Sequence, residues 1–260
     1  MPRWRLTAVA LSLALALLTL AGCNKLKARD QLNKGVRAYK AAQFDTAIEH
    51  FQRAIKLDPQ LINARVYLAV AYASQFIPGS PAEENKRLGK TAIQAFEEVL
   101  EVDPTNVDST AWIAGLYFGL EEFDKAKEYR RRLIELDSDN PEHPYMVAVI
   151  NWTLTYPVRQ ELRNRLRLTD PVQPLPRRQR EALAIQNSAL VEEGIEMLQK
   201  ALEIKPDYAD AMVYLNLLYR EKADLVADGD EREQLLQQAD ELAERAQQLK
   251  QQPATPAAAR

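Results

Sequence analysis

The stretch "FDTAIEHFQRAIKLDP", Phe44 to Pro59, decides the fold. Its apolar residues recur at intervals of three and four, which places them on one face of an α-helix. Pro59 ends that helix, because proline lacks the N–H that a helix needs and restricts the residue before it. A short amphipathic helix is stable only when its apolar face packs against something else. The stretch therefore predicts a helix that has a partner helix.

Three later stretches repeat this pattern, so the repetition extends over most of the chain. They read "KTAIQAFEEVLEVDP", "FDKAKEYRRRLIELDS" and "VEEGIEMLQKALEIKP". Counting the first stretch, a small residue stands at one fixed distance before the end of each, at Ala47, Ala92, Ala126 and Gly194. Small residues allow two packed helices to approach closely. Stacked helix pairs bury what a single pair cannot, so the pattern predicts a repeat protein.

The repeats resemble the tetratricopeptide repeat (TPR) family. Over residues 28–61 the chain has that family's order of small and aromatic residues ending in proline, at Gly35, Tyr39, Ala47, Phe51, Ala54 and Pro59. Weaker copies follow at residues 62–106, 107–140, 141–208 and 209–250. The resemblance implies an all-α TPR solenoid of about five helix pairs over residues 28–250, with insertions in the second, fourth and fifth pairs.

A narrower resemblance rests on three segments: "YASQFIPG", "NWTLTY" and "LVEEGIEMLQKALEIKPDYADAMVYLNLLYREKADL". These segments are similar to those of an uncharacterised group of bacterial TPR lipoproteins. The group brings no activity that could be carried over to this chain.

The insertion in the fourth repeat, residues 157–181, is rich in proline and arginine. It predicts a short helix near Arg159 to Leu168, a Pro-rich loop, and a long helix from about Arg177 into Ile204. Its arginines predict a basic patch, formed by Arg159, Arg163, Arg167, Arg177, Arg178 and Arg180. That patch is either a contact for anionic lipid headgroups or an acidic partner, or a solvated helix and loop.

Residues 1–22 have the pattern of an export signal. Arg3 and Arg5 precede an uncharged apolar run from Leu6 to Leu20, and small residues follow. The run is shorter than the roughly 20 residues that a membrane-spanning helix needs. We therefore expect a cleaved signal peptide, with an uncleaved N-terminal anchor helix as the alternative.

Cys23 is the only cysteine, and it follows the signal directly. The order Leu20-Ala21-Gly22-Cys23 resembles the lipobox of bacterial lipoproteins. The resemblance implies cleavage before Cys23, a diacylglyceryl group on its thiol and a fatty acid such as palmitate on its new amine. Several acyl chains anchor a protein stably, whereas one chain binds only marginally.

Residues 23–27 would then be the lipid anchor and a short tether to the first repeat. Four extended residues reach about 14 Å, so the first repeat should lie close to the bilayer. Asn24 follows the cysteine, and the absence of aspartate there favours the outer membrane, facing the periplasm, over the inner membrane. Residues 251–260, "QQPATPAAAR", should be a disordered tail.

The sequence offers no catalytic residue, metal site or cofactor site. Its two histidines, His50 and His143, lie in different repeats, and its one cysteine is assigned to acylation. We expect His50 on a helix surface and His143 exposed or capping at a helix start. A net charge of −3 argues against a nucleic-acid partner, and no small-molecule substrate is evident. The chain is therefore not predicted to be an enzyme, and a site within residues 157–181 is the less favoured alternative.

A concave groove is the predicted binding site. In TPR folds the first helix of each pair lines this groove, which by resemblance is formed here by Tyr39, Asn63, Val70, Phe118, Tyr145, Trp152 and Arg220. Exposed aromatic residues anchor peptides and helices, although Tyr145 and Trp152 could instead cover the insertion. The function hypothesis is a scaffold at the membrane that binds another cell-envelope protein, as in envelope or secretion-complex assembly. A self-assembling structural envelope protein is the alternative.

Overall fold

The structure, a computed structural model, describes residues 23–251. The predicted signal peptide, 1–22, and residues 252–260 of the predicted tail lie outside the described residues. Within the described range the regular elements are ten α-helices, with no strand among them. None of these ten helices is both long and apolar enough to span a bilayer.

The helices follow one another in five pairs, as the repeats predict, so the all-α fold class is confirmed. Their bounds are α1 (23–40), α2 (Phe44–Leu57), α3 (Ile62–Ala73), α4 (Glu83–Val102), α5 (Val107–Gly119), α6 (Phe123–Leu136), α7 (Glu142–Arg165), α8 (Arg177–Ile204), α9 (Ala209–Ala223) and α10 (Gly229–Gln251).

The chain divides after Tyr129, within α6, into two compact units. In the first unit, the apolar face of α2 buries Ala47, Phe51 and Ala54, as their spacing predicts. Gly35 of α1 lies against Phe51 so closely that a Cβ at Gly35 would stand 2.4 Å from Cε1 of the ring. The small-residue pattern therefore marks a real close approach between paired helices.

The insertion in the second repeat is a loop that packs into the first unit. Phe76 of this loop lies between Gly89 of α4 and Gly119 of α5, where a Cβ would come within 3.0 and 2.8 Å of its ring. The buried side chain of Asn85 holds the loop, because it accepts from the Ile77 N–H at 2.7 Å and donates to the Ile77 carbonyl at 2.8 Å.

In the second unit, α8 packs against α7 and α9 through Gly194. A Cβ at this glycine would lie 2.6 Å from Cδ1 of the buried Leu218 and 3.6 Å from Cβ of Asn151. The amide of Asn151 donates to the Leu190 carbonyl at 3.0 Å and to the Glu193 carboxylate at 2.8 Å. These contacts align the two long helices that carry the insertion.

The expectation of a separate short helix after Pro157 is wrong. α7 continues through Pro157 to Arg165, and only residues 166–176 form the loop. Proline removes one helical hydrogen bond and disfavours the helix. The ring of Pro157 is exposed to solvent, while Thr155, Arg159 and Arg163 on the helix are buried. Burial and pairing on that face outweigh the missing bond.

The predicted tether is shorter than its fully extended maximum of about 14 Å. Residues 23–27 are helical and form the start of α1. Residues 24–27 therefore rise only about 6 Å along the helix axis. Cys23 itself is exposed.

Candidate functional site

Five aromatic side chains of the second unit form a continuous row, which we call the aromatic row. In order, its members are Tyr208, Tyr145, Tyr214, Trp152 and Tyr156. The centroids of successive rings lie 5.1, 5.6, 5.4 and 4.6 Å apart. Each residue is half-buried, so every ring retains some surface in contact with solvent. These distances and the tilted, edge-on and stacked arrangements are those that aromatic pairs prefer.

Two helices and one turn position the row. Tyr145, Trp152 and Tyr156 lie on one face of α7, where intervals of seven and four residues bring side chains into line. Tyr214 lies on α9, and Tyr208 lies in the turn before α9. Both α7 and α9 are the first helices of their pairs, which is where the TPR resemblance places a binding groove.

Hydrogen-bond donors accompany the apolar surface of the row. Burial is the main cause of the raised pKa of Tyr208, and the nearby Glu142 carboxylate raises it further. The Tyr208 hydroxyl donates to Glu142 Oε2 at 2.6 Å. Burial also raises the pKa of Tyr145. Both hydroxyls therefore keep their protons at neutral pH. The buried Nε1 of Trp152 has no hydrogen-bond partner within residues 23–251, and the side chain is held by ring contacts and by packing against the apolar core of the second unit.

The basic patch that the sequence predicts does not form a single surface. Arg159 and Arg163 are only 8% and 4% exposed. Both bind the buried carboxylate of Asp224, with Arg159 Nε at 2.8 Å and Arg163 Nη1 at 2.9 Å from Oδ2. Asp224 follows α9 directly. The two arginines therefore tie the end of α7 to the end of α9 and do not form an exposed basic surface.

The other predicted patch residues separate into two places. Arg177 forms an exposed ion pair with Glu181, at 2.8 Å, within α8. Arg178 and Arg180 also lie on α8 and form no ion pair with any residue that the structure describes. Arg167 is exposed at the end of α7. This part of the basic-patch prediction is corrected: the arginines are distributed between a buried cluster, a helix surface and one cavity wall.

That cavity, which we call the arginine cavity, has a volume of about 590 Å³. Its lining combines three arginines and three uncharged polar side chains with two apolar residues, and it contains no acidic side chain: Arg159, Gln160, Arg163, Asn164, Arg167, Leu168, Thr169 and Pro171. Gln160 connects the cavity to the aromatic row, because its Nε2 donates to the Tyr156 hydroxyl at 2.8 Å. The row and the cavity are therefore consecutive features of α7.

A buried glutamate lies behind this region. Glu221 of α9 is 2% exposed, and neither carboxyl oxygen forms a hydrogen bond within the described residues. Burial raises its pKa to about 7, while Thr155 and Arg159 partly oppose the rise and Asp224 adds to it. Glu221 therefore changes between its protonated and ionised forms near neutral pH.

The other predicted groove residues are placed as follows, and their role in binding stays a prediction. In the first unit, the Tyr39 hydroxyl lies 3.0 Å from Ser74 Oγ, and Asn63 is exposed. Val70 packs partly buried against the core, and Phe118 meets another phenylalanine ring edge-on. In the second unit, Arg220 is engaged by acceptors on α9 and α10.

The histidines have structural contacts. His143 is buried rather than exposed, and its Nε2 donates to Asp137 Oδ2 at 3.0 Å across the turn before α7. His50 Nδ1 lies 2.8 Å from the Gln31 side-chain oxygen, between α2 and α1. Residues 23–251 contain no group of three or more His, Cys, Asp or Glu side chains arranged to hold a metal ion.

Sequence reasoning found two members of the aromatic row and missed three. Tyr156 stands one helical turn after Trp152, so the four-residue spacing was a usable signal. Tyr208 and Tyr214 lie in the next repeat, and only the packing of α9 against α7 brings them to the row. Gln160 lies one further helical turn along the same face of α7, so its place beside the row could also have been predicted from the spacing.

Comparisons with known proteins identify the repeats. Residues 35–75 match a family profile described as TPR repeat, and residues 89–149 match one described as tetratricopeptide repeat. No curated protein matches the sequence.

Solved structures share the fold at low sequence identity. A crystal structure of MamA is 17% identical with a TM-score of 0.57, and the match covers 88% of this chain and 98% of that one. MamA from Desulfovibrio magneticus RS-1, residues 41 to the end, is 14% identical with a TM-score of 0.54, over 85% and 97% of the two chains. YrrB, described as a TPR protein with an unusual peptide-binding site, is 16% identical with a TM-score of 0.50, over 85% and 91%. The two profiles identify tetratricopeptide repeats within residues 35–75 and 89–149, and these neighbours show that the chain as a whole has a TPR-like fold.

Proposed function

We propose that this chain is a bacterial TPR lipoprotein, a lipid-anchored scaffold that binds another cell-envelope protein through the aromatic row. The observation that carries the proposal is the row itself: five consecutive rings with solvent-facing surface, on the helices that line the groove in TPR folds. Such a scaffold would serve envelope or secretion-complex assembly.

The chemistry of the row suits a protein segment. Tyrosine and tryptophan provide a large contact area for little loss of side-chain freedom, and they dominate binding hot spots. From Tyr145 to Tyr156 the row spans about 17 Å of α7. That length matches roughly five residues of an extended peptide, or three turns of a helix. The phenolic hydroxyls add polar contacts that fix the register of the bound segment.

A structural neighbour supports a peptide or protein partner. YrrB, which shares the fold, is described as having a peptide-binding site. A soluble scaffold would meet such partners in any compartment, but the sequence before Cys23 favours export and acylation. We therefore place the scaffold at the periplasmic face of the outer membrane.

The anchor constrains where the row can act. Cys23 is exposed at the first described position of α1, and α1 is helical from that residue onward. Acyl chains on Cys23 would keep α1 within a few ångströms of the headgroups. Lys25 and Lys27 on the exposed first turns would then lie near anionic lipid.

Replacing Cys23 by serine tests the anchor. Cys23→Ser should move the protein from the membrane fraction to the soluble fraction and abolish incorporation of a labelled fatty acid. Asn24→Ser serves as the control that keeps the thiol. A Cys23→Ser protein that is still labelled and still sediments with membranes contradicts the anchor.

Site-specific photo-cross-linking tests the binding surface. A benzoylphenylalanine at Tyr156 should form an adduct with one defined envelope protein in intact cells, whereas the same group at the exposed Ile185 of α8 should not. Trp152→Ala should remove that adduct, and Trp112→Ala, which deletes an exposed tryptophan of the first unit, should leave it. An adduct with a second copy of this chain would instead favour self-assembly, and equal labelling at both positions would refute the row as the surface.

A further inference from the structure

We infer that the arginine cavity binds the carboxylates of an acidic segment whose apolar neighbours lie on the aromatic row. The inference rests on the proposed function for the nature of the partner, since it takes the ligand to be part of a protein. It adds the chemistry by which that partner is recognised.

The lining of the cavity contains several hydrogen-bond donors. Arg159 uses its Nε to hold Asp224, while its Nη1 and Nη2 have no hydrogen-bond partner within the described residues and are not sealed from solvent. Two side-chain amides, Gln160 and Asn164, and the Thr169 hydroxyl stand beside them. Guanidinium groups pair with carboxylates in a fixed, two-pronged geometry.

The charge of the cavity favours an anion. Arg159, Arg163 and Arg167 supply three guanidinium groups to the lining. Asp224, which pairs with Arg159 and Arg163, is buried behind the cavity wall with both oxygens already accepting from arginine. Glu221, next to Arg159, carries only part of a charge near neutral pH because burial raises its pKa to about 7. A net positive charge therefore remains on the wall.

Hydrogen bonds hold the cavity wall in place. Arg163 donates to the Gln173 carbonyl at 3.2 Å and to the Asp170 carbonyl at 2.5 Å. These bonds hold the 166–176 loop against α7. Preorganised donors lose less conformational freedom when a ligand arrives.

The position of the cavity links it to the row. Tyr156 accepts from Gln160, a residue of the cavity wall, and the lining continues along α7 to Arg167. From Tyr156 to Arg165, the last residue of α7, the helix rises about 14 Å, and Arg167 follows two residues later. A bound segment would therefore place carboxylates within about five extended residues of its aromatic or aliphatic anchors. The site belongs to the insertion, so it adds a specificity element that the repeats themselves do not contain.

Arg167 can be replaced without disturbing the backbone of the cavity wall. Its φ is +57°, a left-handed conformation that glycine adopts without cost. Its N–H donates to the Asn164 carbonyl, and the next N–H donates to the Arg163 carbonyl, as in a common helix C-cap where glycine is preferred. Arg167→Gly should therefore keep the fold while removing one charge from the cavity. Substitution of Arg159 or Arg163 would instead remove one of the two arginine partners of the buried Asp224.

The test uses the full chain, purified in detergent and titrated calorimetrically at low salt. The probes are tri-glutamate for the acidic segment and glycerol 3-phosphate for a lipid headgroup. Tri-glutamate should bind at one saturable site, and Arg167→Gly should weaken it by about tenfold or more, the loss of one charge-assisted contact. The matched control Arg178→Gln removes an exposed arginine outside the cavity and should change the affinity less than about twofold.

Three results would overturn the inference. Tri-glutamate could show no saturable binding, Arg178→Gln could weaken it as much as Arg167→Gly, or glycerol 3-phosphate could bind more tightly than tri-glutamate. The last result would assign the cavity to phosphate groups. These titrations need no envelope partner, and cross-linking from the row needs no anion. Failure of either proposal is thus recognised separately.

Discussion

Glu221→Gln should make the protein more stable above neutral pH and leave it nearly unchanged in acid. The carboxyl group is 2% exposed, and burial raises its pKa from 4.5 to about 7. Below pH 4.5 the group is protonated in both folded and unfolded chains, so its burial causes no loss of stability there. Between pH 4.5 and about 7 the unfolded chain ionises first, and the folded state loses stability. Above pH 7 the loss is constant at roughly 3 kcal/mol, from about 1.4 kcal/mol per pKa unit.

The assay is urea denaturation followed by circular dichroism at pH 4 to 8. The free energy of unfolding of Glu221→Gln should exceed that of the wild type by up to roughly 3 kcal/mol at pH 8 and by little at pH 4. Titration of the other carboxyls is common to both proteins and cancels in the difference. Glu203→Gln, which removes an exposed carboxyl of α8, is the matched control and has no burial penalty to relieve. A constant difference between variant and wild type at every pH would refute the reasoning.

Two further predictions compare matched pairs. Gly35→Ala should destabilise the first unit by about 1–3 kcal/mol, because the new Cβ would overlap Phe51, whereas Gly115→Ala, which meets nothing within 4 Å, should be neutral or stabilising in a thermal melt. Asp224→Ala should lower the free energy of unfolding by about 3–5 kcal/mol because it leaves two buried arginines without their ion-pair partner. Asp240→Ala removes an exposed ion-pair partner and should lower it by less than about 1 kcal/mol in the same melt.

The repeats could be predicted because their signal is local. Each helix shows its apolar face within one stretch, and proline marks where α2 and α8 must stop. The close approach at Gly35 follows from the same spacing, since a small residue faces an aromatic one in the next helix. Periodicity together with the TPR resemblance was enough to predict about five helix pairs.

The insertion could not be predicted because its structure depends on distant partners. Arg159 and Arg163 looked like surface charge until Asp224, about 60 residues later, came to lie between them. Pro157 looked like a helix boundary, because the propensity of one residue was weighed without the packing on the opposite face of α7. Local signals do not report such long-range pairing.

The aromatic row could be predicted only in part. Tyr145 and Trp152 were selected from their helix and position in the repeat, and Tyr156 follows from the same spacing. Tyr214 required knowledge of how α9 packs on α7. The candidate site was thus half visible in sequence, and its extension into the arginine cavity was not.

Amide hydrogen exchange of the full chain, with and without the protein captured from the row, tests the central claim most directly. Binding through the aromatic row should slow exchange in α7 and α9, above all at residues 145–160 and 208–218, and leave α2 to α4 unchanged. Slowed exchange confined to the first unit, with none in α7 or α9, would contradict the assignment of the row as the partner-binding surface.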